Sequence, residues 1–170
     1  NGDLFHALVQ SIISQQLSIK AADTIYNRVE QLLGTITAEN LKSAAVEDLR
    51  ACGLSARKIE YLRGIADAVL SGRINFDALA RLPDEEIMKE LVKLKGVGEW
   101  TAEMLLIFAL GRPDVLSFKD LGIRRGIMLL NKLEELTEED FEVYRKRYSP
   151  YGTLASLYLW RIKDGGLSVK

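Results

Sequence analysis

Cysteine and histidine occur once each, as Cys52 and His6, in a chain of 170 residues. A single cysteine excludes an intramolecular disulfide, a four-cysteine zinc site and a cysteine-ligated iron–sulfur cluster. A single histidine excludes histidine-rich metal sites, and His6 reads most simply as a satisfied helix residue. So little cysteine fits a reducing, cytosolic setting. Long hydrophobic runs are missing too: no segment reaches the ~20 apolar residues of a membrane span, and the start carries no signal-peptide pattern. The first residue is Asn1 and not Met, so residues upstream of it are expected. Neither sign of charge is in excess, with a net charge of −1 and a pI near 6.0. That balance excludes a surface coated in basic charge. It leaves room for a local positive face. Strand signals are also lacking: no hairpin dipeptide sits between alternating runs.

What is present is helix. The hydrophobic fraction, 48%, is enough for a core, and the length suits one domain or two small lobes sharing a cleft. In "LFHALVQSIISQQL" apolar residues recur at Leu4, Leu8, Ile12 and Ile13, a helical stripe. Ser18 is placed to cap a helix that stops at Gly34. Thr37 opens one or two short helices, and Ser55 caps "ARKIEYLRGIADAVL", which ends at Gly72. Pro83 sits at a first helical position, followed by Asp84, Glu85 and Glu86, where the helix dipole favours acids. Lys89, Lys93 and Lys95 lie toward the other end, and Gly96 stops the helix. A new helix runs from about Glu99 to Leu110 and ends at Gly111. Another begins near Asp120, and Thr137 to Asp140 fits a capping box. "TLASLYLWRIK" is the last helix, closed by Gly165 and Gly166. The fold class is all-α. "GRPDVLSF", from Gly111 to Phe118, is the best boundary, giving lobes 1–112 and 113–170. "CGLSARKIEYL" echoes "KGVGEWTAEML", either as a second, degenerate helix–turn–helix unit or by chance.

The pattern breaks at "LKGVGEWTAEMLL", from Leu94 to Leu106. Gly96 ends a helix, but that leaves Gly98 unexplained. Two positions without side chains let another backbone come close, and the N–H groups of the helix that starts at once bind phosphate without a basic side chain. Val97 would point inward and pin the turn. "GVG" alone suits a plain tight turn and a phosphate-gripping helix-hairpin-helix equally.

With its neighbours, the stretch resembles the helix-hairpin-helix DNA glycosylase superfamily, and within it the 3-methyladenine DNA glycosylase II branch. "SIISQQLSIKAA", "LKGVGEWTAEMLLIFALGRPDVLSFKDLGIRRG" and "YGTLASLYLWRI" carry the resemblance, which spans essentially the whole chain. It implies two helical lobes with an active-site cleft between them. It implies a monofunctional glycosylase that cuts the N-glycosidic bond of alkylated purines in base excision repair, flipping the base out. Gly96, Val97, Gly98 and Thr101 match the phosphate-binding hairpin. Asp120 matches the catalytic aspartate. Trp100, Trp160 and Met104 match the base pocket, Met104 standing where relatives carry an aromatic residue. Lyases of the superfamily have a lysine where this chain has Trp100; Lys119, beside Asp120, lies in the wrong segment for that role. No cofactor is implied as required, although the hairpin often holds Na+ or K+ through backbone carbonyls near Gly96 and Gly98. The implied partner is double-stranded damaged DNA, not a membrane. The protein is expected to be a monomer in the cytoplasm and nucleoid, or in the nucleus of a eukaryote.

Each of these residues also has a plainer reading. Asp120 is of the right type to stabilise the positive charge that develops on the sugar, and is also a good N-cap. The tryptophans suit a cationic base by cation–π contact; the alternative is core packing, above all for Trp160, whose helix is strongly apolar. Gln16 matches the wedge that fills the gap left by the flipped base, with Gln15 as its structural neighbour; the alternative is a solvated helix end. Arg124 and Arg125 meet phosphates or are simply exposed. The alternative to an enzyme is a non-catalytic helix-hairpin-helix DNA-binding module.

Overall fold

A computed structural model describes residues 3–165, and within them every regular element is a helix. The described chain groups into two compact units, divided between Leu105 and Leu106.

The first unit contains α1 (Leu4–Ser14), α2 (Ile19–Leu33), α3 (Ala38–Ser43), α4 (Val46–Ala51), α5 (Ala56–Leu70), α6 (Phe76–Leu79) and α7 (Asp84–Leu91). It also holds the start of α8 (Glu99–Phe108). Polar caps set several starts. The side chains of Asp3, Ser18, Thr37, Ser55 and Asn75 each accept a bond from a backbone N–H three residues on, satisfying donors that the first turn leaves unpaired. The stripe read in the sequence is the buried face of α1: Leu4, Leu8, Ile12 and Ile13 are all buried, joined by Val9. Leu41, Leu49, Leu62, Ile65, Ile87 and Leu91 are also fully buried in this unit. Each such side chain contributes about 1.5–3 kcal/mol by leaving water. His6 is a satisfied helix residue, its ring Nδ1 2.5 Å from Asp3 Oδ2.

Two helix boundaries differ from expectation. Pro83 is the N-cap of α7 rather than its first residue, and α7 ends at Leu91 instead of running to Gly96. After Leu91 the chain tightens: Lys93 N–H donates to Glu90 O, Leu94 N–H to Leu91 O and Val97 N–H to Leu94 O. These three-residue bonds use up the last carbonyls of α7. Lys93 and Lys95 therefore lie beyond the helix. Likewise α8 ends at Phe108, not Leu110, and Gly111 follows with φ +62°.

The second unit holds α9 (Leu121–Asn131), α10 (Glu138–Tyr148) and α11 (Gly152–Lys163). Leu116, Ile123, Ile127, Phe141 and Leu159 form its core. Thr137 and Asp140 make the expected capping box at α10. Packing of α9 on α11 is close enough to demand a glycine: a Cβ on Gly126 would lie 2.5 Å from Leu159 O. Gly165 has φ +73° after α11, while Gly166 lies outside the described residues.

Candidate functional site

The hairpin is built from the turn upward. Gly96 has φ +90°, a conformation that side chains disfavour, and a Cβ there would lie 2.4 Å from Tyr61 Cδ2. Both facts require glycine. Val97 is only 5% exposed and pins the turn to the core. Gly98 differs from Gly96: a Cβ built on it meets nothing within 4 Å. The fold therefore does not need glycine at Gly98, and the bare backbone faces solvent just before α8. Gly98 O accepts from Ala102 N–H at 3.0 Å, the first bond of that helix. The opening N–H groups of a helix have no partner within it and form an anion site. Thr101, in this first turn, is buried. Trp100 is 44% exposed, and Met104, one turn further along α8, is half-buried.

The end of α1 is tied to this turn. Gln15 is the C-cap of α1, and its Nε2 donates to Gly96 O at 2.9 Å. Gln15 is thus turned into the protein. Gln16 is exposed and holds φ +58°, one of two non-glycine residues with positive φ among the described residues. Such backbone costs about 1–3 kcal/mol and persists where surrounding structure imposes it.

In the second unit, Asp120 is the N-cap of α9 and is 8% exposed. Its Oδ1 accepts from Ile123 N–H at 2.8 Å and from Trp160 Nε1–H at 2.9 Å. Two N–H donors on one oxygen fix the carboxylate's rotamer. Trp160 also stacks on Phe108, with ring centroids 5.8 Å apart and planes inclined by 19°. Hence its N–H edge serves Asp120 while its ring lies on an aromatic partner. Gly122 makes this approach fit: a Cβ there would lie 2.9 Å from Trp160 Cδ1 and 3.2 Å from Asp120 Oδ1. The loop before Asp120 is held to α11 by Thr153 N–H to Pro113 O and by Ser156 Oγ, 2.8 Å from Val115 O.

Arg125 is exposed. The guanidinium of Arg124 lies over the Phe118 ring, 5.1 Å from its centroid, and Arg124 Nε is buried without a hydrogen-bond partner. Lys119 is exposed. Phe108 and Gly122 were missed in the sequence reading. Both had signals: Phe108 follows Met104 by a helical repeat, and Gly122 stands inside a helix, where glycine costs about 1 kcal/mol.

A family model described as the HhH-GPD superfamily base excision DNA repair protein matches residues 9–150. DNA-3-methyladenine glycosylase 1 of Schizosaccharomyces pombe is 39% identical over 162 residues, 92% of this chain and 71% of that protein. The crystal structure of DNA-3-methyladenine glycosidase from Bacillus halodurans superposes with a TM-score of 0.87 at 44% identity, covering 96% of this chain and 76% of that one. That of Schizosaccharomyces pombe 3-methyladenine DNA glycosylase in complex with abasic DNA gives 0.76 at 38% identity, covering 93% and 79%. The glycine hairpin before α8 and the capped aspartate of α9 both lie within the matched span, and the chain belongs to the HhH-GPD superfamily of base excision DNA repair proteins.

Proposed function

We propose that this protein is a monofunctional DNA glycosylase that hydrolyses the N-glycosidic bond of alkylated purines, of the 3-methyladenine type, in double-stranded DNA. The observation that carries the reading is the Asp120 carboxylate, fixed on one oxygen by the Ile123 and Trp160 N–H groups. The two relatives with solved structures, at 44% and 38% identity, are named as a DNA-3-methyladenine glycosidase and a 3-methyladenine DNA glycosylase, and support it.

The chemistry follows from charge. A purine alkylated on a ring nitrogen is cationic and leaves with the glycosidic electron pair as a neutral base. Positive charge then develops on the deoxyribose, and a carboxylate beside C1′ stabilises it. Water adds to C1′ and loses a proton, giving an abasic site. The target base is first extruded from the stack. In this reading the turn at Gly96–Gly98 and the first N–H groups of α8 grip a phosphate, and Gln16 fills the vacated gap. Trp100 and Met104 are read as base-pocket residues, as is Trp160, and Arg125 is read as a phosphate contact. No lysine stands at the lyase position, which Trp100 occupies, so the reaction stops at the abasic site. Na+ or K+ at the turn fits the donors present: Gly96 O keeps a second lone pair beside the Gln15 bond, and neutral carbonyls suit a hard monovalent ion. The protein works as a monomer on its DNA.

Asp120→Asn is expected to abolish base release from methylated duplex DNA, followed by chromatography of the freed bases, while DNA affinity is kept. Undiminished release would overturn the assignment. Wild-type DNA binding without release of any base would favour the binding-module alternative. The bases to compare are 3-methyladenine, 7-methylguanine, ethenoadenine and hypoxanthine.

A further inference from the structure

The sequence echo "CGLSARKIEYL" is left unused by the reading above. In the structure it repeats the hairpin's local form. Gly53 has φ +107°, Leu54 is 3% exposed like a second Val97, and Ser55 caps α5. What the echo supplies is the first turn of α5, and two side chains on one face of it. Lys58 Nζ donates to Ile13 O at 2.7 Å and to Gln15 O at 2.7 Å. Tyr61, three residues on, is the ring against which Gly96 packs. Positions i and i+3 share a helix face, so α5 is a common footing for both the end of α1 and the hairpin turn.

The bonds suit the charges. Ile13 O is among the last carbonyls of α1, which lack partners within the helix and carry its negative dipole end. A lysine ammonium satisfies them, even though burial pushes the Lys58 pKa below the ordinary lysine value. Lys58 grips the backbone on the residue immediately before Gln16, whose φ of +58° needs holding. The Gln15 side chain then reaches Gly96 O. Lys58, Gln15 and Tyr61 together link the exposed Gln16 to the Gly96 turn within one compact unit.

We propose that Lys58 is a positioning residue for base extrusion: its ammonium and the Gln15–Gly96 bond hold the Gln16 wedge at a fixed place relative to the phosphate-gripping turn. The inference rests on the glycosylase reading and on Gln16 as its wedge. A wedge matters most when a paired base must be displaced, and little when the target base has no partner. Single-turnover release of 7-methylguanine is therefore compared in two DNAs, one pairing the lesion with cytosine and one placing it in a single-nucleotide bulge. Gln16→Ala sets the signature of a lost wedge, a slowing on the paired DNA that is largely absent on the bulge.

Lys58→Met keeps the aliphatic stem and removes the ammonium. Gln15→Leu breaks the link from the other side. Each is expected to slow release from the paired DNA up to about tenfold more than from the bulge, the scale of one lost hydrogen bond. A packing defect would slow both DNAs alike. Equal slowing on the two DNAs, or none, in both variants while Gln16→Ala shows its signature overturns the role of Lys58. A Gln16→Ala variant without the signature removes the wedge and the proposal with it. Wild-type protein that releases nothing from either DNA refutes the glycosylase reading itself.

Discussion

At the scale of single residues, the strongest constraint falls on Asp120 Oδ1, which takes two N–H donors. Trp160→Phe retains a ring to stack on Phe108 and loses the indole N–H. A hydrogen bond to a charged group contributes about 1.5–3 kcal/mol. The variant is expected to slow base release about ten- to a hundredfold with affinity for DNA carrying a tetrahydrofuran abasic analogue unchanged. An equal loss of that affinity would show that Trp160 acts through packing alone. Gly122→Ala reaches the same bond by another route, because its Cβ would lie 2.9 Å from Trp160 Cδ1. Trp160 cannot give way without leaving Phe108 or Asp120, so the same loss of rate is expected in the same assay.

At the scale of elements, the two hairpin glycines separate structure from function. Gly96→Ala combines a positive φ with overlap on the Tyr61 ring, and is expected to destabilise the fold by about 1–3 kcal/mol or more, read as a lowered denaturant midpoint. Gly98 has open space around it. Gly98→Asp is expected to leave that midpoint nearly unchanged while weakening duplex DNA binding, since a carboxylate would repel the phosphate that the turn is proposed to grip. If both variants lost stability equally, the division of labour would be wrong. The early end of α7 belongs here too. Leu91, Leu94 and Val97 recur every three residues, a spacing that an α-helix and the tighter three-residue turns satisfy alike. The bonds to Glu90 O, Leu91 O and Leu94 O decided in favour of the turns.

At the scale of the molecule, a near-neutral net charge makes the salt dependence of DNA binding a test of the proposed backbone grip. Each phosphate neutralised by Lys or Arg steepens the salt dependence of binding by about 0.9 in a plot of log affinity against log salt. A grip made largely by backbone N–H groups releases fewer counterions. The slope is expected to be shallower than the about −5 to −9 of proteins with many basic phosphate contacts; a slope in that range would point to a basic face instead. The single cysteine reports on the first unit. Cys52 is 7% exposed and burial pushes its thiol pKa up, so little thiolate is available to react. Alkylation at neutral pH is expected to be far slower in the native protein than in denaturant, and fast native labelling would show that the unit opens around α4.

The all-α class, the caps at Ser18, Thr37, Ser55 and Thr137, and the position of Asp120 at a helix start were determined by the sequence alone. These follow from interactions between residues three or four apart, which periodicity and capping rules read directly. The hairpin glycines were legible too, but not their different reasons. Tertiary structure alone decided that Trp160 serves Asp120 across 40 positions, that Gln15 reaches Gly96 across 81, and that Lys58 closes the end of α1. Such contacts depend on which helix faces pack together. One sequence does not state that packing, because many packings bury the same apolar stripe equally well.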